Sequence, residues 1–224
     1  MIISLSHKID SSTPMYGGKK GFEFKIESSI SRGDTANTQR WTFPNHLGTH
    51  IDTPYHFYQN GKKLDGDPPS FWFFKGEKIQ ILNVKLPEKK LLIEPTYITN
   101  KDISYDAELL ILKTGVGKHR NKEKFWKYNP GISQEFAIWI KEKFKKLRVV
   151  ATDSISVSSW QHRDVGRKVH KILLNPKKPV LIIEDMDLSK IASETVFKML
   201  YIAPITVKGA DGGPCTIFAE VQKK

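Results

Sequence analysis

His46-Leu47-Gly48-Thr49-His50-Ile51-Asp52-Thr53-Pro54-Tyr55-His56-Phe57 places three of the chain's seven histidines and a carboxylate within eleven positions. Gly48 and Pro54 oppose a helix through this stretch. If it runs extended, side chains repeat with period two, and His46, Gly48, His50, Asp52, Pro54 and His56 point to one side. Gly48 carries no side chain, so a further ligand group could approach the backbone there. Imidazole nitrogen with carboxylate oxygen is a donor set that suits zinc, manganese or iron, and three protein ligands leave a position open for water or substrate. The plain alternative is a set of loop or satisfied core histidines. Against it, gathering four such groups on one face carries a desolvation cost that a bound cation or ion pairing offsets.

A site built from this stretch alone would be open to solvent, so further groups are expected from elsewhere in the chain. His170 stands at the end of a short predicted helix, in His170-Lys171-Ile172-Leu173-Leu174, and Glu184 ends the very apolar run Pro179-Val180-Leu181-Ile182-Ile183-Glu184. A carboxylate on such a strand is expensive to bury unless paired or metal-bound. An exposed strand end paired with a lysine remains the alternative for Glu184. His170 taken alone is ambiguous.

The run His46-x-Gly48-Thr49-His50-x-Asp52-x-Pro54-x-His56-Phe57 resembles the signature of the metal-dependent cyclase family, which includes bacterial kynurenine formamidases and isatin hydrolases. Leu47 stands where that signature usually has Ser or Thr. The resemblance extends from about Ile3 to Ala219. It implies a single swivelling β/β/α domain over residues 1–224, an α/β fold with a β-barrel-like core and flanking helices, assembled as a homodimer or higher homo-oligomer. By the same resemblance His46, His50 and Asp52 bind one metal ion, and Asp52, His170 and Glu184 could hold a second. The expected cofactor is zinc, one or two ions, with manganese as the other choice. His56 resembles the family's proton donor and acceptor. The isatin hydrolase branch tends to carry glutamine at the position of Glu184, so the carboxylate leans toward the formamidase branch. Met15-Tyr16-Gly17-Gly18 is similar to an aromatic residue followed by a Pro-Gly turn that bounds the family's pocket. This implies that Tyr16 stacks on an aromatic substrate, although Gly17 replaces the proline; a tyrosine packed under a loop is the other reading. Asp153-Ser154-Ile155-Ser156-Val157-Ser158 and Asp211-Gly212-Gly213-Pro214 resemble two further family segments, with departures at Ser158, Gly213 and Thr216.

The implied reaction is hydrolysis of a small amide, most specifically the formamide of N-formylkynurenine or a similar N-formylated arylamine. A metal ion lowers the pKa of its water toward neutrality and polarises the scissile carbonyl, so hydroxide is available as nucleophile at physiological pH. Imidazole at His56 suits a proton relay to the leaving amine. The alternatives are hydrolytic ring opening of a cyclic amide or lactone, and a member of the family that binds metal or ligand without catalysis. No Gly-x-Ser-x-Gly elbow supports an acyl-enzyme route.

Composition sets the outer bounds. The 224 residues suffice for one sizeable core, and 39% apolar with 27% charged residues fits a globular protein. The net charge of +12 is spread over lysine pairs from Lys19-Lys20 to Lys223-Lys224 rather than gathered in an aromatic-interleaved stripe. The expected partner is therefore a small-molecule substrate rather than nucleic acid, with mild attraction of anions. No apolar run reaches membrane-spanning length, and Met1 to His7 lacks a secretory pattern, so the expected location is the cytoplasm, off the membrane. Cys215 is the single cysteine and cannot form an internal disulfide.

Local patterning supports mixed α/β structure. Ile2 to Ser6 reads as a short strand, and Phe22-Glu23-Phe24-Lys25-Ile26-Glu27 alternates like a strand with one wet face. Lys78 to Val84, Glu108 to Lys113 and Leu147 to Thr152 read as buried strands. Ser133 to Phe144 reads as a helix, with Ser133 as cap, acids early, lysines late, and Ala137, Ile140, Phe144 and Leu147 on one stripe. Phe71-Trp72-Phe73-Phe74 is too aromatic for water and is expected in the core, near the site or in a subunit contact.

Overall fold

A computed structural model describes residues 1–19, 21–192 and 194–222; the lysine pairs at Lys19-Lys20 and Lys223-Lys224 therefore extend outside the described residues. The four apolar runs form β6 (Ile79–Asn83), β8 (Leu109–Lys113), β10 (Val149–Thr152) and β11 (Leu181–Glu184). They lie side by side and parallel, as strands buried on both faces should. The histidine-rich stretch supplies β4 (His50–Asp52), which pairs antiparallel with β11. Its other edge pairs with β13 (Gly212–Val221) through Gly212, Gly213 and Pro214. Farther along, β13 holds β1 (Ile2–Ser4), and it also carries β12 (Phe197–Pro204), which in turn holds β5 (Phe73–Lys75). The resulting nine-stranded sheet runs β5-β12-β13-β4-β11-β10-β8-β6 with β1 on β13.

This sheet is the expected barrel-like core of an α/β fold, nearly closed and flanked by few helices. Ile51, Leu109, Ile111, Val149, Ala151, Leu181 and Ile183 from the parallel half pack in one cluster with Leu200, Ile202, Ile217 and Ala219 from the antiparallel half. The alternate residues Leu110, Leu112, Val150 and Ile182 face outward, against α2 (Gln134–Lys143) and α3 (Arg163–Leu173). Period two thus sends one set of side chains into the barrel and the other beneath the helices. Helix α2 begins where expected, with Ser133 Oγ accepting the Phe136 N–H at 3.0 Å. Among the described residues no helix is long and apolar enough to cross a membrane.

Two expectations are corrected and a third, core packing of the aromatic run, holds in part. The histidine-rich stretch is extended only over the three residues of β4. Gly48 has φ of +66°, a left-handed conformation that glycine adopts without strain, and Pro54 opens a 3-10 turn at Pro54–His56. The strand with one wet face, β2 (Glu23–Ser28), pairs with β3 (Thr38–Thr42) in a ribbon wet on both sides. Phe24 is 54% exposed, Ile26 48% and Trp41 65%, so among the described residues its apolar side chains are left largely uncovered. The aromatic run divides: Trp72 and Phe74 are buried, while Phe73 is exposed on an edge strand and none of the four lines the site.

Candidate metal centre and pocket

Register explains how residues far apart in sequence meet. His50 lies opposite Glu184 in the β4–β11 pair, and Asp52 follows on the same face, directed away from the barrel interior and toward α3. Helix α3 brings His170 down onto them, and Phe57 stacks on the His170 ring at 4.7 Å and 20°. All four polar side chains are buried. Their atoms form a ring in which nitrogens and oxygens alternate. His50 Nε2 is 3.6 Å from Asp52 Oδ1 and 3.5 Å from Glu184 Oε2. His170 Nε2 is 3.4 Å from Asp52 Oδ2 and 3.7 Å from Glu184 Oε1.

These separations exceed a hydrogen bond and resemble the edges of a coordination shell. Two donors bound at about 2.0–2.1 Å to a tetrahedral ion stand about 3.3 Å apart. The tautomers make the same point. His50 Nδ1 lies 2.8 Å from the Gly48 carbonyl, and His170 Nδ1 2.8 Å from the Gly166 carbonyl. A carbonyl only accepts, so each Nδ1 carries a proton, and each ring turns its Nε2 toward carboxylates that, when ionised, also only accept. Such a cluster holds together with added protons or with a cation, and carbonyl-anchored imidazoles beside buried carboxylates fit the latter. Burial acts to lower the His170 pKa, but the facing Asp52 and Glu184 carboxylates raise it to about 10. Burial acts to raise Glu184 and Asp52, yet the neighbouring histidines draw both down. Glu184 Oε1 also accepts from Ser156 Oγ at 2.9 Å and Val157 N at 2.7 Å. The segment resembling a family motif thus holds Glu184 in place.

The next residue, Asp185, has φ of +52°, an uncommon conformation for a residue with a side chain. Arg120 grips its carboxylate at 2.9 and 2.7 Å, Thr49 Oγ1 donates to its carbonyl at 2.6 Å, and its N–H reaches Ser154 at 2.8 Å. These bonds fix the end of β11 and so the direction of Glu184.

His46 and His56 form a second, wetter layer. His46 Nδ1 donates to Asp52 Oδ1 at 2.7 Å and Nε2 to Asp211 Oδ2 at 3.0 Å. Burial acts to lower its pKa, and the two carboxylates raise it to about 9. A cation taking Nδ1 as a ligand replaces that proton. His56 Nδ1 donates to the same Asp211 Oδ2 at 2.7 Å, which leaves its Nε2 as the free basic nitrogen. Asp211 is the functional residue that sequence reasoning left without a role. Its segment was visible as a motif, but its contact with residues 46 and 56 arises only when β13 docks on β4. Gly212 permits that approach, because a Cβ there would stand 2.4 Å from the Ile51 carbonyl oxygen and 2.8 Å from His46 Cε1.

The structure therefore gathers every predicted residue, His46, His50, Asp52, His56, His170, Glu184 and Tyr16, around one cavity of about 280 Å³. Tyr16 borders it from the side, with its ring edge-on to Trp160 at 5.1 Å and its buried Oη without a hydrogen-bond partner among the described residues. Burial, reinforced by the Glu184 charge, raises this hydroxyl to about 12, so it remains a donor at neutral pH. Arg163 and Arg167 also line the cavity and were not anticipated.

Comparison with known proteins agrees with this geometry. The Cyclase family model matches residues 3–159. A kynurenine formamidase of Bacillus cereus is 24% identical over 212 residues, covering 95% of this chain and 93% of that protein. An isatin hydrolase A from Labrenzia aggregata, solved with benzyl benzoate, superposes with a TM-score of 0.77 at 18% identity, covering 100% of this chain and 94% of the other. A solved protein described as a potential metal-dependent hydrolase with cyclase activity gives 0.74 at 20% identity, covering 100% and 99%.

Proposed function

Because this chain belongs to the Cyclase family, with the family match spanning residues 3–159, we propose that it is a metal-dependent hydrolase that cleaves the formamide of an N-formylated arylamine such as N-formylkynurenine. The supporting observation is that His50 and His170, each anchored through Nδ1 on a backbone carbonyl, turn Nε2 toward the buried carboxylates of Asp52 and Glu184. His46, His50, Asp52, His170 and Glu184 would hold one or two ions, zinc by preference with manganese as the alternative. When bound, such a cation supplies the charge that acidifies water and polarises a carbonyl.

The remaining chemistry falls to the chain. His56 Nε2 accepts the proton of the attacking water while Asp211 holds Nδ1–H and steadies the imidazolium. The same nitrogen returns a proton to the amine nitrogen as the carbon–nitrogen bond breaks, so water divides between formate and the free arylamine. Tyr16 Oη donates to the bound substrate, and its ring offers an aromatic wall. The kynurenine formamidase relative supports a formamide as substrate, and its coverage spans nearly both chains. A homodimer belongs to the same proposal: the uncovered Phe24, Ile26 and Trp41 of the β2–β3 ribbon offer an apolar face to a second copy, and a monomeric mass in solution would remove that part.

The direct test is formate release from N-formylkynurenine by protein loaded separately with zinc and manganese, with Asp52→Ala as the blank. Release at about 10⁴ per molar per second or more is expected. No release above the blank from metal-loaded protein would overturn the formamidase reading in favour of ring opening of a cyclic amide or lactone.

A further inference from the structure

Arg163, Gly166, Arg167 and His170 occupy positions i, i+3, i+4 and i+7 of α3 and so share one stripe. The lower end of that stripe is His170, in the metal cluster, and the upper end is a pair of guanidinium groups at the mouth of the same cavity. Arg163 stacks on Trp160, with its guanidinium carbon 4.9 Å from the ring centre, and has no carboxylate partner among the described residues. Arg167 meets only Asp164, at 2.5 Å, in a pair open to solvent on both sides. The Trp160 that supports Arg163 also packs against Tyr16, whose buried Oη lacks a partner, and both guanidinium charges act on that hydroxyl. Two cations and an orphaned donor therefore border the same cavity. The acids lining it, Asp52 and Glu184, are both at its base.

We infer that the substrate carries a carboxylate at the end remote from the scissile amide, bound by Arg163 and Arg167 with Tyr16 donating beside them, and that the preferred substrate is a net anion rather than a zwitterion. Arginine presents a planar fork matched to a carboxylate, and a second guanidinium at the spacing of one helical turn lets the two clamp a single group. An α-ammonium next to that carboxylate would meet the same two cations, and the acid beside them, Asp164, is already paired with Arg167. Hence N-formylkynurenine, which carries both charges, is bound less well than an otherwise identical compound lacking the amine. The inference rests on the hydrolase reading for its substrate type, but the charge selection belongs to the pocket and is measurable without turnover.

Three formamides test it: N-formylkynurenine, its des-amino analogue with the carboxylate alone, and the neutral primary amide of that analogue. With metal-loaded protein, the des-amino carboxylate is expected to exceed the neutral amide in kcat/KM by about tenfold or more, with N-formylkynurenine between them. In the Arg163→Gln/Arg167→Gln double variant the preference falls to about twofold, through KM rather than kcat, and Arg163→Lys/Arg167→Lys restores part of it. In parallel, tryptophan fluorescence, with Trp160 beside the pocket, is titrated with the three deformylated arylamines on the parent and the double variant. The same order of affinity is expected there even from protein that hydrolyses none of the formamides, which separates failure of this inference from failure of the hydrolase reading. Equal binding of anion and neutral amide by the parent, or a preference undiminished in the double variant, overturns the inference.

Discussion

His56 sits one layer out from the buried cluster, with Nδ1 tied to Asp211 and Nε2 free at the cavity. In the proposed reaction that placement gives His56 proton transfer, although it also stands close enough to His46 and Asp52 to share an ion with them. Replacing His56 by Ala is expected to lower kcat by about 10²–10⁴-fold while metal content measured on the same sample stays at the parental level. Loss of metal with the activity would instead make His56 a ligand. Most of these residues were legible because the histidine-rich stretch gathers four donors in one local segment. Asp211 was legible only as part of a motif, since its partners lie 165 and 155 residues away in sequence. The arginines were hidden for another reason: in a chain with a net charge of +12, nothing local distinguishes Arg163 and Arg167 from the other surface cations.

At the scale of elements, strand β4 is only three residues long yet pairs on both edges, so it sets β11 and β13 in register about the site. The apolar runs that became β6, β8, β10 and β11 were legible because strands buried on both faces read as continuous hydrophobic sequence. Helix α2 was equally plain through its cap and stripe. Replacing Ser133 by Ala removes the 3.0 Å bond from the Phe136 N–H together with the hydroxyl's 2.8 Å bond to Glu94, and is expected to destabilise the protein by about 1 kcal/mol, readable by urea denaturation. An unchanged midpoint would mean that the Ser133 hydroxyl, cap bond included, contributes nothing net. The extended reading of the histidine-rich stretch erred because the left-handed turn at Gly48 and the 3-10 turn at Pro54 re-aim His46 and His56 around β4. The β2 strand was recognised from its alternation, but alternation records only which residues share a face and not what covers it.

At the scale of the whole molecule, burying two histidines against two carboxylates ties stability to pH and to metal. Without an ion, burial acts to lower His46 and His170, and the facing carboxylates raise them to about 9 and about 10. The folded protein then keeps protons that the unfolded chain releases near pH 6.5. The stabilisation is therefore complete below about pH 6.5 and is lost as pH rises through about 9 to 10. The Tm of chelator-treated protein is expected to fall across that window, while metal-loaded protein, in which the ion replaces these protons, holds its Tm longer. A Tm of the metal-free protein that rises across the same range would contradict this picture. The most direct measurement is metal content after exhaustive dialysis, by elemental analysis, for the parent, Asp52→Ala and Glu184→Gln, each verified as folded by circular dichroism. The geometry predicts at least one equivalent of zinc or manganese in the parent, none in Asp52→Ala and a reduced amount in Glu184→Gln; equal retention by all three would contradict a cation site built on Asp52 and Glu184.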